Sequence, residues 1–185
     1  HFNKTGAKKK MQTTMTKNIA LAGHAGSGKT TLCEALLYQS GVTERIGKIT
    51  EGNTVSDYTA EEIKRKSSVY TTLSTIRTDA LQVNLLDTPG MFDFAGEMTE
   101  GIYGSDCTLI PVSGKSGVRV GTQKAYDCAV ALGKPRMFVV TKLDDDNANF
   151  YNVLTDLKSK FGSTVCPVVV PVIADRKNYL LCQPD

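Results

Sequence analysis

Residues Asn18 to Leu32 read NIALAGHAGSGKTTL. A short apolar run, Asn18 to Gly23, ends in glycine and predicts a buried parallel strand. The next eight residues, Gly23 to Thr30, fit the pattern G-x-x-x-x-G-K-[ST]. Beyond them Leu32, Ala35 and Leu36 recur at helical spacing, and Gly41 is a plausible helix stop. Strand, glycine-rich loop and helix together form a phosphate cradle. Glycines let the backbone curl until several N–H groups face one anion. The helix start adds partial positive charge. The expected nucleotide-binding set is Gly23, His24, Ala25, Gly26, Ser27, Gly28, Lys29, Thr30 and Thr31. Lys29 reaches the β- and γ-phosphates, and the Thr30 hydroxyl ligates Mg²⁺. His24 reads as a spacer. The plain alternative is a glycine-rich turn packed under a helix.

The rest of the chain extends that unit. VYTTLSTI and LQVNLL have β character, and RTDA between them predicts an antiparallel hairpin. DCTLIPVS, RMFVVTKL and CPVVVPV read as strands, and VGTQKAYDCAVALG and NFYNVLTDLKSKFG as helices. This alternation predicts an α/β fold of the P-loop NTPase type, a three-layer sandwich around a mostly parallel sheet with one antiparallel edge hairpin strand. Ligands of such sheets sit at the carboxyl ends of the strands. Gly41 to Lys66 is polar and reads as a long mobile loop.

Composition sets the class. The chain has 185 residues, 41% of them hydrophobic, which suits one globular domain. Its formal charge of +3 demands no nucleic-acid partner. No apolar run is long enough to span a membrane. Five widely spaced cysteines without Cys-x-x-Cys argue against a disulfide framework or zinc site and for a reducing cytosol. Residues 1–16 are expected to be a disordered basic tail, 17–174 the domain, and 175–185 an irregular tail or the start of an inserted subdomain. Met11 or Met15 is the expected true start, because both lie just ahead of the first apolar run.

Two further loops carry chemistry. Asp87 ends the run QVNLL at a strand's carboxyl end. It suits a partner of Mg²⁺ acting through the ion's bound water, although Asp-Thr-Pro-Gly is also an ordinary turn. Gly90 reads as a sensor of the γ-phosphate, its N–H donating to that group. FVVTKLD places Thr141, Lys142 and Asp144 after another strand, where a guanine-reading tetrad with a leading asparagine is at home. The aspartate would accept two hydrogen bonds from guanine, and the lysine stem would cover the base. The Thr141 hydroxyl cannot duplicate an amide's two-sided bonding. Asp145 and Asp146 read more simply as a solvated acidic helix start.

With these loops in place the chain resembles the translational GTPases, in particular the elongation factor G-like group and the ribosomal protection factors related to it. The resemblance runs from about Lys17 to Val172. It rests on GHAGSGKTTL, GNTVSDYTAEEIKRKSSV, NLLDTPGMFDFAGE, SGKSGVRVGTQKAYDCA and TKLDDDNANF. It implies GTP and GDP as ligands with Mg²⁺, hydrolysis of GTP, a cytoplasmic monomer, and the ribosome, its rRNA and proteins, as partner rather than DNA or a membrane. The family's Arg-Gly-Ile-Thr-Ile corresponds to Arg65-Lys66-Ser67-Ser68-Val69, so Ser68 takes the threonine's place on Mg²⁺. The family's water-positioning histidine corresponds to Met91, which the resemblance sets beside Lys29 and Gly90 in the catalytic group. A thioether cannot orient water as imidazole does, so Met91 is either an apolar gate or a packing residue. The loop that closes over guanine and the downstream domains are missing from the match, so a piece of a longer factor is expected. A nucleotide-binding switch with little hydrolysis, and a P-loop kinase, are the competing readings; no acceptor-substrate motif supports the kinase.

Overall fold

The computed structural model describes residues 15–175 and 178–182. Most of the expected tail, residues 1–14, lies outside them, as do 176–177 and 183–185. Strand β1 (Met15–Leu21) starts two residues inside the expected tail. It leads through the glycine loop into α1 (Lys29–Gln39). After a long connection come α2 (Ala60–Arg65), β2 (Thr72–Arg77) and β3 (Leu81–Asp87). Then follow α3 (Ala95–Tyr103), β4 (Cys107–Ser113), α4 (Val120–Ala131), β5 (Arg136–Thr141), α5 (Phe150–Phe161), β6 (Val170–Asp175) and β7 (Asn178–Cys182).

The main sheet has strand order β2-β3-β1-β4-β5. β1 pairs in parallel with β3 and β4, β4 pairs in parallel with β5, and β2 pairs antiparallel with β3 at the edge. This is the expected sandwich with its hairpin edge. Alternate side chains of β1 serve opposite faces. Leu21 joins Cys33, Leu37 and Leu85 under α1, while Ala20 and Ala22 join Met98, Ile102, Ile110, Ala125 and Ala129 under α3 and α4. Val112 continues that second face beneath α5, with Val118, Val153 and Leu157. No helix among the described residues is long and apolar enough to cross a membrane.

The structure departs from expectation in four places. CPVVVPV adds no sixth strand to the main sheet: β6 pairs antiparallel with β7 in a separate two-stranded sheet. Pro167 and Pro171 each lack the N–H that a ladder needs, and Val168 stands 64% exposed. The 175–185 segment thus contains a strand instead of being irregular throughout. Residues 41–66 are not structureless, since they hold a 3₁₀ turn (Ile49–Glu51) and α2. Finally, α3 has no counterpart among the expected helices: Gly96 and Gly101 obscure the spacing of Ala95, Met98 and Ile102.

Buried carboxylates organise the 41–66 connection. Glu34 of α1 is 1% exposed and accepts hydrogen bonds from Gly47 N (3.0 Å) and Val55 N (2.6 Å). Glu62 forms a capping box with Thr59 and also accepts from Val69 N at 3.0 Å and Tyr70 N at 3.2 Å. Beyond the connection, half-buried Glu97 of α3 accepts from Thr71 N at 2.7 Å. Each bond to a carboxylate contributes about 1.5–3 kcal/mol, enough to hold a segment with few apolar anchors.

Candidate functional site: a phosphate-loop cavity

The carboxyl ends of β1, β3 and β5 bring the three expected loops together. Gly23 to Gly28 connect β1 to α1. Gly28 takes a left-handed φ of 93°, and the helix begins at Lys29. Lys29 is 6% exposed and its ammonium donates to Gly23 O (3.1 Å) and His24 O (3.0 Å). Burial lowers its pKa to about 8, while Asp87 and Asp57 pull it back up. A cavity of about 80 Å³ opens here, lined on the loop side by Ala25, Gly26, Gly28, Lys29 and Thr30. Gly23 and Ser27 are buried, His24 is half-buried and Thr31 faces solvent.

Asp87 is the last residue of β3, paired with Leu21 of β1. It is 1% exposed, and neither carboxylate oxygen has a hydrogen-bond partner among the described residues. Burial pushes its pKa up to about 6, against the pull of the nearby Thr30 hydroxyl and Lys29 ammonium. Thr88 locks the loop that follows: its N–H and hydroxyl both donate to Leu21 O, at 3.2 and 2.8 Å. Gly90 then comes so near the phosphate loop that a Cβ there would lie 2.7 Å from Ala25 N. Only glycine allows that approach.

The far wall comes from the 41–66 connection and its continuation. Ser68 sets its hydroxyl 3.3 Å from that of Thr30. Asp57, which the sequence reading passed over, also lines the cavity. It is 3% exposed and both of its carboxylate oxygens lack partners. Burial raises its pKa, with the Ser68 hydroxyl alongside pulling the other way. A signal for it existed, since it lies just ahead of the Thr-x-x-Glu box that starts α2. Lys66, at the end of α2, lines the cavity in a left-handed conformation, φ 53°.

Two orphaned buried carboxylates beside two hydroxyls form an all-oxygen donor set, which fits a hard divalent cation. Among the described residues no three His, Cys, Asp or Glu side chains converge into an all-protein metal cage.

The loop expected to read guanine is attached to the phosphate loop. Thr141 at the end of β5 donates its hydroxyl to Ser27 O at 2.6 Å. The threonine that replaces the expected asparagine thus ties the two loops together. Lys142 has φ 54°; with Lys66 it makes up the left-handed non-glycine residues among those described. Lys142 and Asp144 are exposed at the turn. Asp145 and Asp146 do not open a helix, because α5 begins at Phe150 with Asn149 as its N-cap. Asp145 instead accepts from Asn147 N (3.0 Å) and pairs with Lys115 (3.0 Å), and these bonds hold its carboxyl below the usual range.

Met91 does not line the phosphate-loop cavity. It borders a separate apolar recess of about 10 Å³ with Pro89, Phe92, Ala95, Met98 and Gly121. Gly90 is common to both spaces. Phe92 beside it lies under the Lys124 ammonium at 4.5 Å.

The family described as "Elongation factor Tu GTP binding domain" matches residues 14–178. The chain is 40% identical over 155 residues to the elongation factor G-like protein of Mycobacterium tuberculosis, covering 84% of this chain and 22% of that one. It is 35% identical over 156 residues to the mitochondrial ribosome-releasing factor 2 of Debaryomyces hansenii, covering 84% and 18%. A crystal structure of a Thermus thermophilus protein superposes with a TM-score of 0.85 at 43% identity, over 91% of this chain and 25% of that one. The chain therefore spans about a fifth of the length of the curated relatives it matches. It belongs to the family of elongation factor Tu-type GTP-binding domains.

Proposed function

We propose that the chain is the GTP-binding, GTP-hydrolysing domain of an elongation factor G-like translation factor that works in the cytoplasm with the ribosome. One observation carries the reading: Asp57 lines a phosphate-loop cavity with Lys29, Thr30 and Ser68, and Asp87 is buried close to Thr30 and Lys29, both carboxylates lacking hydrogen-bond partners among the described residues. A buried charge without a partner is costly, so the cavity is preorganised for a charged ligand. Thr30 and Ser68 hydroxyls would hold Mg²⁺, with Asp87 and Asp57 on its waters. When bound, the ion neutralises charge on the β- and γ-phosphates. Lys29 exchanges its two carbonyl partners for phosphate oxygens. The loop N–H groups and Gly90 N–H orient the terminal phosphate. Thr141 fixes the guanine loop while Asp144 reads the base and the Lys142 stem covers it.

A second reading, a nucleotide switch with little hydrolysis of its own, is favoured by the placement of Met91 in the apolar recess. Nothing at that position orients water. The names of the relatives, one elongation factor G-like and one ribosome-releasing, support the ribosome as partner. Phosphate release from GTP by the purified chain, with and without ribosomes and against ATP, tests both readings. GTP-specific release supports the first. GTP binding without release supports the second, and equal use of ATP overturns both.

A further inference from the structure

The cavity contains one basic residue that neither the phosphate loop nor the guanine loop supplies. Lys66 closes α2, its N–H donating to Glu62 O, with φ 53° and ψ 40°. Glycine holds this conformation without steric cost, and a lysine does not. Its neighbour Arg65 pairs with Glu61, whereas Lys66 has no ion pair among the described residues. It lines the cavity with Lys29, Thr30, Ser68 and Gly90. It also stands two residues before Ser68, whose hydroxyl meets that of Thr30. The left-handed end of α2 therefore places Lys66, exposed and without an ion pair among the described residues, on the wall that Ser68 shares. Strain of this kind persists where the surroundings enforce it, commonly at functional sites.

We propose that Lys66 is a catalytic residue of GTP hydrolysis, a positive charge supplied in cis from the end of α2 to the terminal phosphate. The inference rests on the proposed function. In the step, water forms a new bond to the γ-phosphorus and the bond to the β–γ bridging oxygen breaks. That oxygen keeps the electron pair and leaves with GDP, and the water's proton ends on the released phosphate. Lys66 keeps its own protons and offsets charge that grows on the bridging and terminal oxygens. The site needs such a group because Met91 supplies none and Asp57 and Asp87 add negative charge of their own.

Lys66→Gly tests this cleanly, since glycine suits the left-handed backbone and the fold is kept. The expected result is an affinity for GDP within about twofold of the parent chain, a roughly fivefold loss for a non-hydrolysable GTP analogue, and a single-turnover hydrolysis rate lower by about tenfold or more. Lys66→Arg should restore most of both losses. Unchanged analogue affinity and hydrolysis in Lys66→Gly would overturn the proposal, as would equal losses for GDP and the analogue. A parent chain that binds neither nucleotide would overturn the underlying reading, and the proposal with it.

Discussion

Replacing Gly90 with alanine separates the terminal phosphate from the rest of the nucleotide. The new methyl would run into Lys29 Nζ and lie 2.7 Å from Ala25 N and 2.8 Å from Ala25 Cα. Unstrained contacts of this kind are about 3.5–4.0 Å, so the overlap is about 1 Å. The lysine tip can swing aside, but the Ala25 backbone belongs to the phosphate loop and cannot. The loop after β3 must therefore retreat by about the overlap. A bond of about 2.9 Å from Gly90 N–H to the γ-phosphate would then stretch past about 3.5 Å and be lost. Hydrogen bonds to charged groups contribute roughly 1.5–3 kcal/mol, so affinity for a GTP analogue should fall roughly 10- to 150-fold. GDP has no group at that position and should bind as before. Fluorescent-nucleotide titrations of both ligands with Mg²⁺ give the ratio directly. Equal losses for GDP and the analogue, or no loss for either, would refute Gly90 as the γ-phosphate contact.

Asp144→Asn should weaken GTP by roughly 1.5–3 kcal/mol while changing ATP little, because the carboxylate is the proposed reader of guanine. Competition titrations measure this, and parallel losses for both nucleotides would show Asp144 to be an ordinary turn residue. Asp87 makes nucleotide-free stability depend on pH. Its folded pKa, about 6, lies above its ordinary 3.8 because of burial. The folded state therefore holds the proton more tightly, and this stabilisation is present below about 3.8 and lost as pH rises through about 6. Without nucleotide or Mg²⁺ the melting temperature should fall between about pH 4 and about pH 6.5, and Asp87→Asn should flatten that fall. An identical slope in the variant would show that Asp87 is not the group responsible.

The legible parts of the fold were those where local signals agree. Asn18 to Thr30 combines an apolar strand, glycines at loop positions and a helix start, and all three point one way. The hairpin was equally plain, because RTDA separates two β-rich runs. Other features depend on residues distant in sequence. Gly101 reads as a helix breaker, yet it lies against Thr88 so closely that a Cβ there would stand 2.5 Å from its methyl. The 41–66 connection has few apolar residues, so no periodicity announces it. Part of its order comes from Glu34, a carboxylate on α1 that accepts from Gly47 and Val55. The Thr59–Glu62 capping box was readable, and with it the start of α2. In the site, Lys29, Thr30 and Asp87 were visible from their motifs. Asp57 is marked in the sequence only by its place just ahead of the Thr59–Glu62 box, and its burial without a partner is what makes it notable. Thr141 looked like a weakened base contact, and the structure adds the bond to Ser27 O that a sequence cannot show.

The central claim is that the cavity between the phosphate loop, Asp57, Asp87 and Ser68 holds the phosphates of a guanine nucleotide with Mg²⁺. Calorimetric titration of the chain with GTP in the presence of Mg²⁺ tests it most directly, run beside Lys29→Ala. Among the described residues Lys29 hydrogen-bonds only to backbone carbonyls of its own loop, so its loss leaves the hydrophobic clusters intact. The account predicts saturable one-to-one binding to the parent chain, weakened by chelation of Mg²⁺, and no detectable binding to a folded Lys29→Ala variant. Unchanged GTP affinity in that variant would contradict it.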